Sequence, residues 1–270
     1  MRFVQITDPH LVPHGGLLHG LDPVRRLEAC IADINRYADD LGFCVITGDL
    51  ANGGELDAYR VLREVLQQLT IPHHLILGNH DRRGDFLEVF PESPRDDDGF
   101  IQYRIDSDEG VLLLLDTVDE GKPSGLYCEA RRRWLSEQLS EAGDRPVYLF
   151  MHHPPFDIGF PSLDRMKLDD AGSFASIVTA HPNVRHLFFG HVHRPLSGSW
   201  RGIPFSALPG TNHQIATDFE AVSPMPFSHG PPAYAFIQLE ADHSLVHLHS
   251  YLDDYPRRLP DKGWTGPPER

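Results

Sequence analysis

The chain is 270 residues long, 40% hydrophobic and 23% charged, enough for one sizeable core and a small second subdomain in a soluble globular protein. Lys+Arg 24 against Asp+Glu 39 leaves a net charge of −15, which repels polyanions and argues against gripping long nucleic acid, although a metal can reverse the field locally for a small anion. No leader composition follows Met1 and no apolar run approaches membrane-span length, so a cytoplasmic protein away from membranes is expected, with Cys30, Cys44 and Cys128 as plain thiols.

Arg2 to Thr7 reads as a buried strand, and Asp8 and His10 follow it two residues apart. In extended chain that spacing points both side chains to one side, while Pro9 stiffens the turn between them. Alone, the tripeptide reads as a turn with an exposed histidine. A loop rich in Gly and His carries His14 and His19, which read as solvated loop residues rather than ligands, although the loop should border whatever Asp8 and His10 do. Asp22-Pro23 is an N-cap followed by Pro at the first helical position, and apolar residues recur from Val24 to Leu41 at helical spacing. Strand Phe43 to Thr47 then implies a parallel pair with a right-handed crossover. It runs into Gly48 and Asp49, just past the strand end, where α/β sheets place their chemistry.

Leu56 to Leu69 marks a second amphipathic helix, leading to strand His74 to Leu77 and to Gly78-Asn79-His80-Asp81. Asn79 offers a neutral carbonyl oxygen, its neighbour His80 must point elsewhere, and Asp81 can orient His80 or the loop by hydrogen bonding. Pro91 to Gly99 reads as an exposed acidic loop. Phe100 to Ile105 and Val111 to Leu115 read as strands, with Asp116 a structural turn, and Glu129 to Leu139 as a helix whose Arg131-Arg132-Arg133 lies in solvent. Val147 to Met151 is a buried strand closing on His152-His153-Pro154-Pro155, where the prolines force a rigid extended exit. A helix over Asp170 to Ala180 precedes strand Val184 to Phe189, which ends in Gly190-His191-Val192-His193.

From Pro195 the pattern changes to short strands: Leu196 to Trp200, Ile203 to Leu208, Tyr234 to Leu239 and Leu245 to Tyr251. The long irregular stretch from Gly210 to Pro232 has the length of a functional or interacting loop, and the tail after Asp253 is rich in Pro and charge. We divide the chain into a catalytic core over 1–194 and, over 195–270, strands that complete the core together with a mainly-β cap and homo-oligomer contact.

Each cluster alone has a bland explanation, but five strand ends in succession carry ligand types, with Asp49 placed to bridge two metal ions. The ordered set Asp-x-His, Gly-Asp, Gly-Asn-His-Asp, His-His-Pro-Pro and Gly-His-x-His resembles the calcineurin-like metallophosphoesterase superfamily. Leu18-His19-Gly20, Gly48 to Gly53 and Leu208 to Thr211 resemble its bacterial class III cyclic nucleotide phosphodiesterase and glycerophosphodiesterase group.

The resemblance implies a four-layer αββα sandwich with a small mainly-β C-terminal cap and a dinuclear site. One ion would take Asp8, His10, Asp49 and His193 and the other Asp49, Asn79, His152 and His191, with His153 a neighbour. Mixed N and O ligands suit Mn, Fe, Co or Zn. Such a pair, held ~3.5–4 Å apart, lowers the pKa of a bridging water and clamps a phosphoryl oxygen. Two divalent ions less two carboxylates and a hydroxide leave one positive charge, matching a phosphodiester. His80 would protonate the leaving group or stabilise the transition state, with Asn52 and His213 on the substrate side. The chain departs from the group in carrying His19 where an aromatic residue often precedes the first-loop Gly, and in lacking a Cys between Asn52 and Glu55.

The function expected is hydrolysis of small phosphodiesters, glycerophosphodiesters or 3',5'-cyclic nucleotides. A phosphomonoesterase or nuclease on the same metals, and a non-catalytic interaction protein, are the alternatives. The complete ligand set with His80 counts against the last, and the net charge against polymeric nucleic acid.

Overall fold

The computed structural model describes residues 1–217, 219–221 and 224–252, so the tail after Asp253 lies outside the described residues. In chain order it contains β1 (Arg2–Ile6), α1 (Pro23–Ile34), β2 (Cys44–Thr47), α2 (Leu56–Leu66), β3 (His73–Ile76), α3 (Arg83–Val89), β4 (Tyr103–Ser107) and β5 (Gly110–Leu114). Then come β6 (Gly125–Leu126), α4 (Glu129–Ala142), β7 (Val147–Met151), α5 (Pro161–Asp164), β8 (Leu168–Asp169), α6 (Ala171–Thr179) and β9 (Val184–Phe189). The last third holds β10 (Leu196–Trp200), β11 (Ile203–Ala207), β12 (Gln214–Ile215), β13 (Phe227–Ser228), β14 (Ala233–Leu239) and β15 (Ser244–Ser250).

Two sheets face each other. One has the order β15-β14-β1-β2-β3 and the other β10-β11-β9-β7-β5-β4. The strands that carry the ligand motifs are parallel neighbours within their sheets, β1 with β2 with β3 and β7 with β9. Period-two alternation splits their apolar side chains between two faces. In β2, Cys44 and Ile46 pack on the helical side with Leu27, Ile31 and Leu62, while Val45 faces the second sheet. In β7, Leu149 and Met151 pack beneath Leu135 and Phe174 of α4 and α6, while Tyr148 and Phe150 face inward. Three apolar cores therefore separate four layers, helices, sheet, sheet, helices, as expected from the sequence. Strands 196–207 and 233–250 extend the two sheets, β11 pairing with β9 and β14 with β1.

Register brings the functional ends level. Ile6 stands beside Ile46, Thr47 beside Ile76, and Met151 beside Phe189, so the residues that follow these strands emerge along one rim. Crossing loops tie the rim, with His10 N donating to Asp49 O at 2.9 Å and Gly190 N to His152 O at 3.2 Å.

Several expectations are corrected. The helix expected to Leu41 is α-helical only to Ile34 and tightens to 3₁₀ over Asn35–Asp40. The strand expected over Phe100 to Ile105 begins at Tyr103, because Phe100 N is taken by Asp96 and Ile101 N by Asp116. Helix α3 was not anticipated, its seven residues being too few to set a period. Arg131 does not lie in solvent. It is 3% exposed and its Nη1 donates to the carbonyl oxygens of Asp116 and Val118 at 2.8 and 3.0 Å. Asp116 is more than a turn residue, for it is fully buried and accepts both Nε and Nη2 of Arg83, at 2.6 and 2.7 Å. Removing one partner leaves a buried guanidinium without its anion. Asp116→Ala is expected to lower unfolding stability by roughly 3–5 kcal/mol in urea titrations; a change under about 1 kcal/mol, the range of exposed pairs, would show the network to be dispensable.

Candidate metal centre

The ligand types expected from the sequence stand just beyond strand ends, and most have turned out of the pleat. Asp8, His10, Asp49, His191 and His193 have φ of 52, 46, 52, 69 and 45°, the left-handed region that L-residues seldom enter. Left-handed turns at both members of each pair, not extended spacing, thus aim Asp8 with His10 and His191 with His193. Such strain costs on the order of 1–3 kcal/mol per residue and persists only where the surroundings hold it. Here they do: Asp8 N donates to Gly48 O at 3.2 Å, Thr7 Oγ1 to Asp8 Oδ2 at 2.6 Å, and His191 N to both oxygens of Asp8. At Gly48, with φ 94°, and at Gly78, a Cβ would strike His152 and the Asp49 carboxylate, so both positions admit only glycine.

Two groups of donors result. Asp8, His10, Asp49 and His193 are all buried, with ligand atoms within 4.8 Å of one another. His10 Nε2 lies 3.4 Å from Asp49 Oδ2 and 3.1 Å from His193 Nε2, which is 3.2 Å from Asp8 Oδ1. Around the second group, His152 Nε2 is 3.3 Å from Asp49 Oδ1 and 3.3 Å from Asn79 Oδ1, and His191 Nδ1 is 2.9 Å from Asn79 Oδ1. Asp49 therefore turns one oxygen to each group. His153 is buried against His152 and His191, with Nδ1 2.8 Å from Thr117 Oγ1 and no partner at Nε2 among the described residues.

The donor set fits cations. His152 donates through Nδ1 to Thr47 O and His193 through Nδ1 to His213 O, both at 2.8 Å, so in the neutral rings each Nε2 is a lone pair aimed at other acceptors. Carboxylate, amide oxygen and ring lone pairs converging at these separations are what ligands at ~2.0–2.2 Å from a common ion require. In the protein alone, protons do part of this work. Burial opposes charge on His152, but Asp49 and Asp8 raise its pKa to about 9, and Asp8 likewise raises His193. Burial also opposes ionisation of Asp8 and Asp49, yet His193 holds Asp8, and His152 and His80 hold Asp49, below the usual carboxylate range. Burial drives His10 well down and His191 to about 3, keeping both rings neutral and able to donate a lone pair.

Asp81 holds the Asn79 loop to the Asp49 loop. Its carboxylate accepts from Leu50 N, Ala51 N, Gly78 N and Tyr59 Oη at 2.8–3.0 Å, and burial with Asp49 nearby raises its pKa to about 6. His80 lies at the mouth, its ring edge-on to His10 at 4.7 Å and its Nδ1 donating to Asn52 O at 2.6 Å. His213 places its ring 5.1 Å from His10 and 4.6 Å from His193. All ten site residues expected from the sequence thus gather around one cavity of about 280 Å³, with Asp8 and His152 beneath its floor. Sequence reasoning missed the apolar part of its lining, Leu163, Met166, Met225 and Phe227, because single apolar residues in very short elements and in the segments between them carry no spacing signal.

Comparison with known proteins follows the same lines. The family model of calcineurin-like phosphoesterases matches residues 1–195. A protein of Rhodopseudomonas palustris named as a probable cyclic nucleotide phosphodiesterase is 44% identical over 95% of this chain and 94% of its own. The glycerophosphodiester phosphodiesterase GpdQ of Enterobacter lignolyticus is 31% identical over 86% of this chain and 85% of its own. The crystal structure of a dimetal phosphatase from Danio rerio shares the fold, with a TM-score of 0.69 at 16% identity over 93% of this chain and 96% of that one. This chain, by its matched core and by relatives that align along nearly its whole length, belongs to the calcineurin-like phosphoesterase family.

Proposed function

We propose that the chain is a phosphodiesterase that would use two divalent transition-metal ions, Mn, Fe, Co or Zn, to hydrolyse small phosphodiesters by attack of an activated water. The observation that carries this reading is Asp49, whose Oδ2 faces His10 at 3.4 Å and whose Oδ1 faces His152 at 3.3 Å, one carboxylate shared by two donor groups. Asp8, His10, Asp49 and His193 would hold one ion, and Asp49, Asn79, His152 and His191 the other. When bound, the pair supplies Lewis-acid polarisation of the phosphoryl group and a water acidic enough to attack at neutral pH. The names of the relatives, a cyclic nucleotide phosphodiesterase and a glycerophosphodiester phosphodiesterase, support a diester as substrate.

The chain's own groups do the rest. The hydrogen bond from His80 Nδ1 to Asn52 O fixes the ring and frees Nε2, which in the imidazolium form can pass a proton to the leaving alkoxide. His213 acts twice in this reading, its carbonyl orienting His193 and its ring standing with Asn52 on the substrate side. Asp81 positions Asn79 and Asp49 relative to each other.

Chelation is expected to abolish diester hydrolysis and Mn or Co to restore it; activity indifferent to chelator in protein without metal by elemental analysis would sink the reading. His80→Ala should keep its metal and lose rate by roughly 10²–10⁴-fold, less on diesters with a nitrophenolate leaving group, which departs unprotonated. Equal losses on every leaving group would remove the general-acid role. Asp81→Asn, which leaves one of the loop donors unpaired, should weaken metal binding by about 10- to 100-fold in competition titrations while His80→Ala does not. A homo-oligomeric cytoplasmic enzyme, assembled through residues 195–251, belongs to the same proposal, and exposed Phe219 is an apolar group such a contact would cover. Sedimentation should show a dimer or larger; a monomer at all concentrations would contradict it.

A further inference from the structure

The cavity over the donor groups has a mixed lining. Polar groups line it, His10, Asp49 and Asn79 at the floor and His80 at the mouth, and so do the apolar side chains of Leu163, Met166, Met225 and Phe227. Phe227, 45% exposed, sits on β13, whose pairing with β12 places Phe227 beside Ile215. Its ring lies on that of His19, with centroids 4.0 Å apart and planes 28° from parallel, and His19 meets His213 edge-on at 4.6 Å. His19 holds this place through a left-handed φ of 53°, and His229 Nε2 donates to its carbonyl at 2.8 Å. The His19 ring, though open to solvent on one side, is thus held against Phe227 and His213. The stack is two ring contacts away from His10, through His213, which leaves room for a sugar between a phosphate at the floor and a flat group at the stack.

Resting on the phosphodiesterase reading above, we infer that the Phe227–His19 stack is a platform for a nucleobase and selects nucleotide diesters over glycerophosphodiesters. Every base presents a π-face to an aromatic ring, and thioethers such as those of Met166 and Met225 suit the edges of flat rings. A glycerol moiety offers hydroxyl groups instead, which carbon and sulfur would leave unpaired. The cavity of about 280 Å³ takes one small ligand, so a mononucleotide diester fits where a strand would not. The ring of His19, on which Phe227 lies, supplies the second layer of the stack.

The test uses the full metal-loaded chain with 3',5'-cyclic AMP and glycerophosphoethanolamine as substrates. The wild type should prefer cyclic AMP, and Phe227→Ala should lower that preference by about 10- to 100-fold, through KM rather than kcat. Phe227→Trp, which keeps an aromatic face, should retain it. A wild-type preference for the glycerol diester, an unchanged ratio in Phe227→Ala, or a Trp variant that loses selectivity as Ala does would each overturn the inference. Hydrolysis of neither diester would instead remove the phosphodiesterase reading. Calorimetric titration with AMP then decides the platform separately: a Kd at least tenfold weaker in Phe227→Ala supports it, and equal Kd values overturn it.

Discussion

The carboxylate of Asp49 stands where the two sheets meet, and most of the site's order follows from its being shared. One oxygen faces His10, from the end of β1, whose ring meets that of His193 from the loop after β9; the other faces His152, from the end of β7, which in turn meets Asn79 from the loop after β3. Each donor group thus draws on both sheets. Burying two carboxylates this close together is unfavourable unless positive charge answers them, and in the protein alone the protons of His152 and His193 answer in part. On the proposed reading the ions complete that balance and clamp sheet to sheet, so that metal binding and the geometry of the rim are one equilibrium.

The sandwich supplies what this arrangement needs, a stiff frame. Three apolar layers hold the strands in register, and the buried Arg83–Asp116–Arg131 network fastens the loop after β5 to α3 and α4. Left-handed turns at five of the proposed ligand positions are tolerable because the rigid frame and the crossing hydrogen bonds over-determine them. Glycines at 48 and 78 serve close approach here, since a Cβ at either would enter the donor groups. The frame leaves part of the cavity to short elements and connecting segments, which add its apolar lining.

Much of this was legible in the sequence, for a definite reason. Runs such as Cys-Val-Ile-Thr and Val-Tyr-Leu-Phe-Met are short, fully buried strands, and each ends at a residue type with no business in a core except as a ligand or a hydrogen-bonding hub. Asp8, Asp49, Asn79, His152 and His191 stood out on that ground, and the structure brings them together. What the sequence concealed were features fixed by tertiary contacts alone. Arg131 reads as one of three solvent charges in a helix until Asp116 is seen beneath it. Helix α3 is too short for its period to show, and the left-handed conformation of Asp8 or His193 has no signature, unlike that of a glycine. Phe227 and Met225 are ordinary loop residues until β12 and β13 pair and place them over the rim.

The central claim, that Asp49 is shared between two metal ions, is tested most directly by anomalous diffraction from crystals of the Mn-loaded protein. The account predicts two peaks in the cavity, one bonded by Asp8, His10, Asp49 and His193 and one by Asp49, Asn79, His152 and His191, with a different Asp49 oxygen on each. A single peak, or a second one bonded by His153 in place of Asp49, would contradict it.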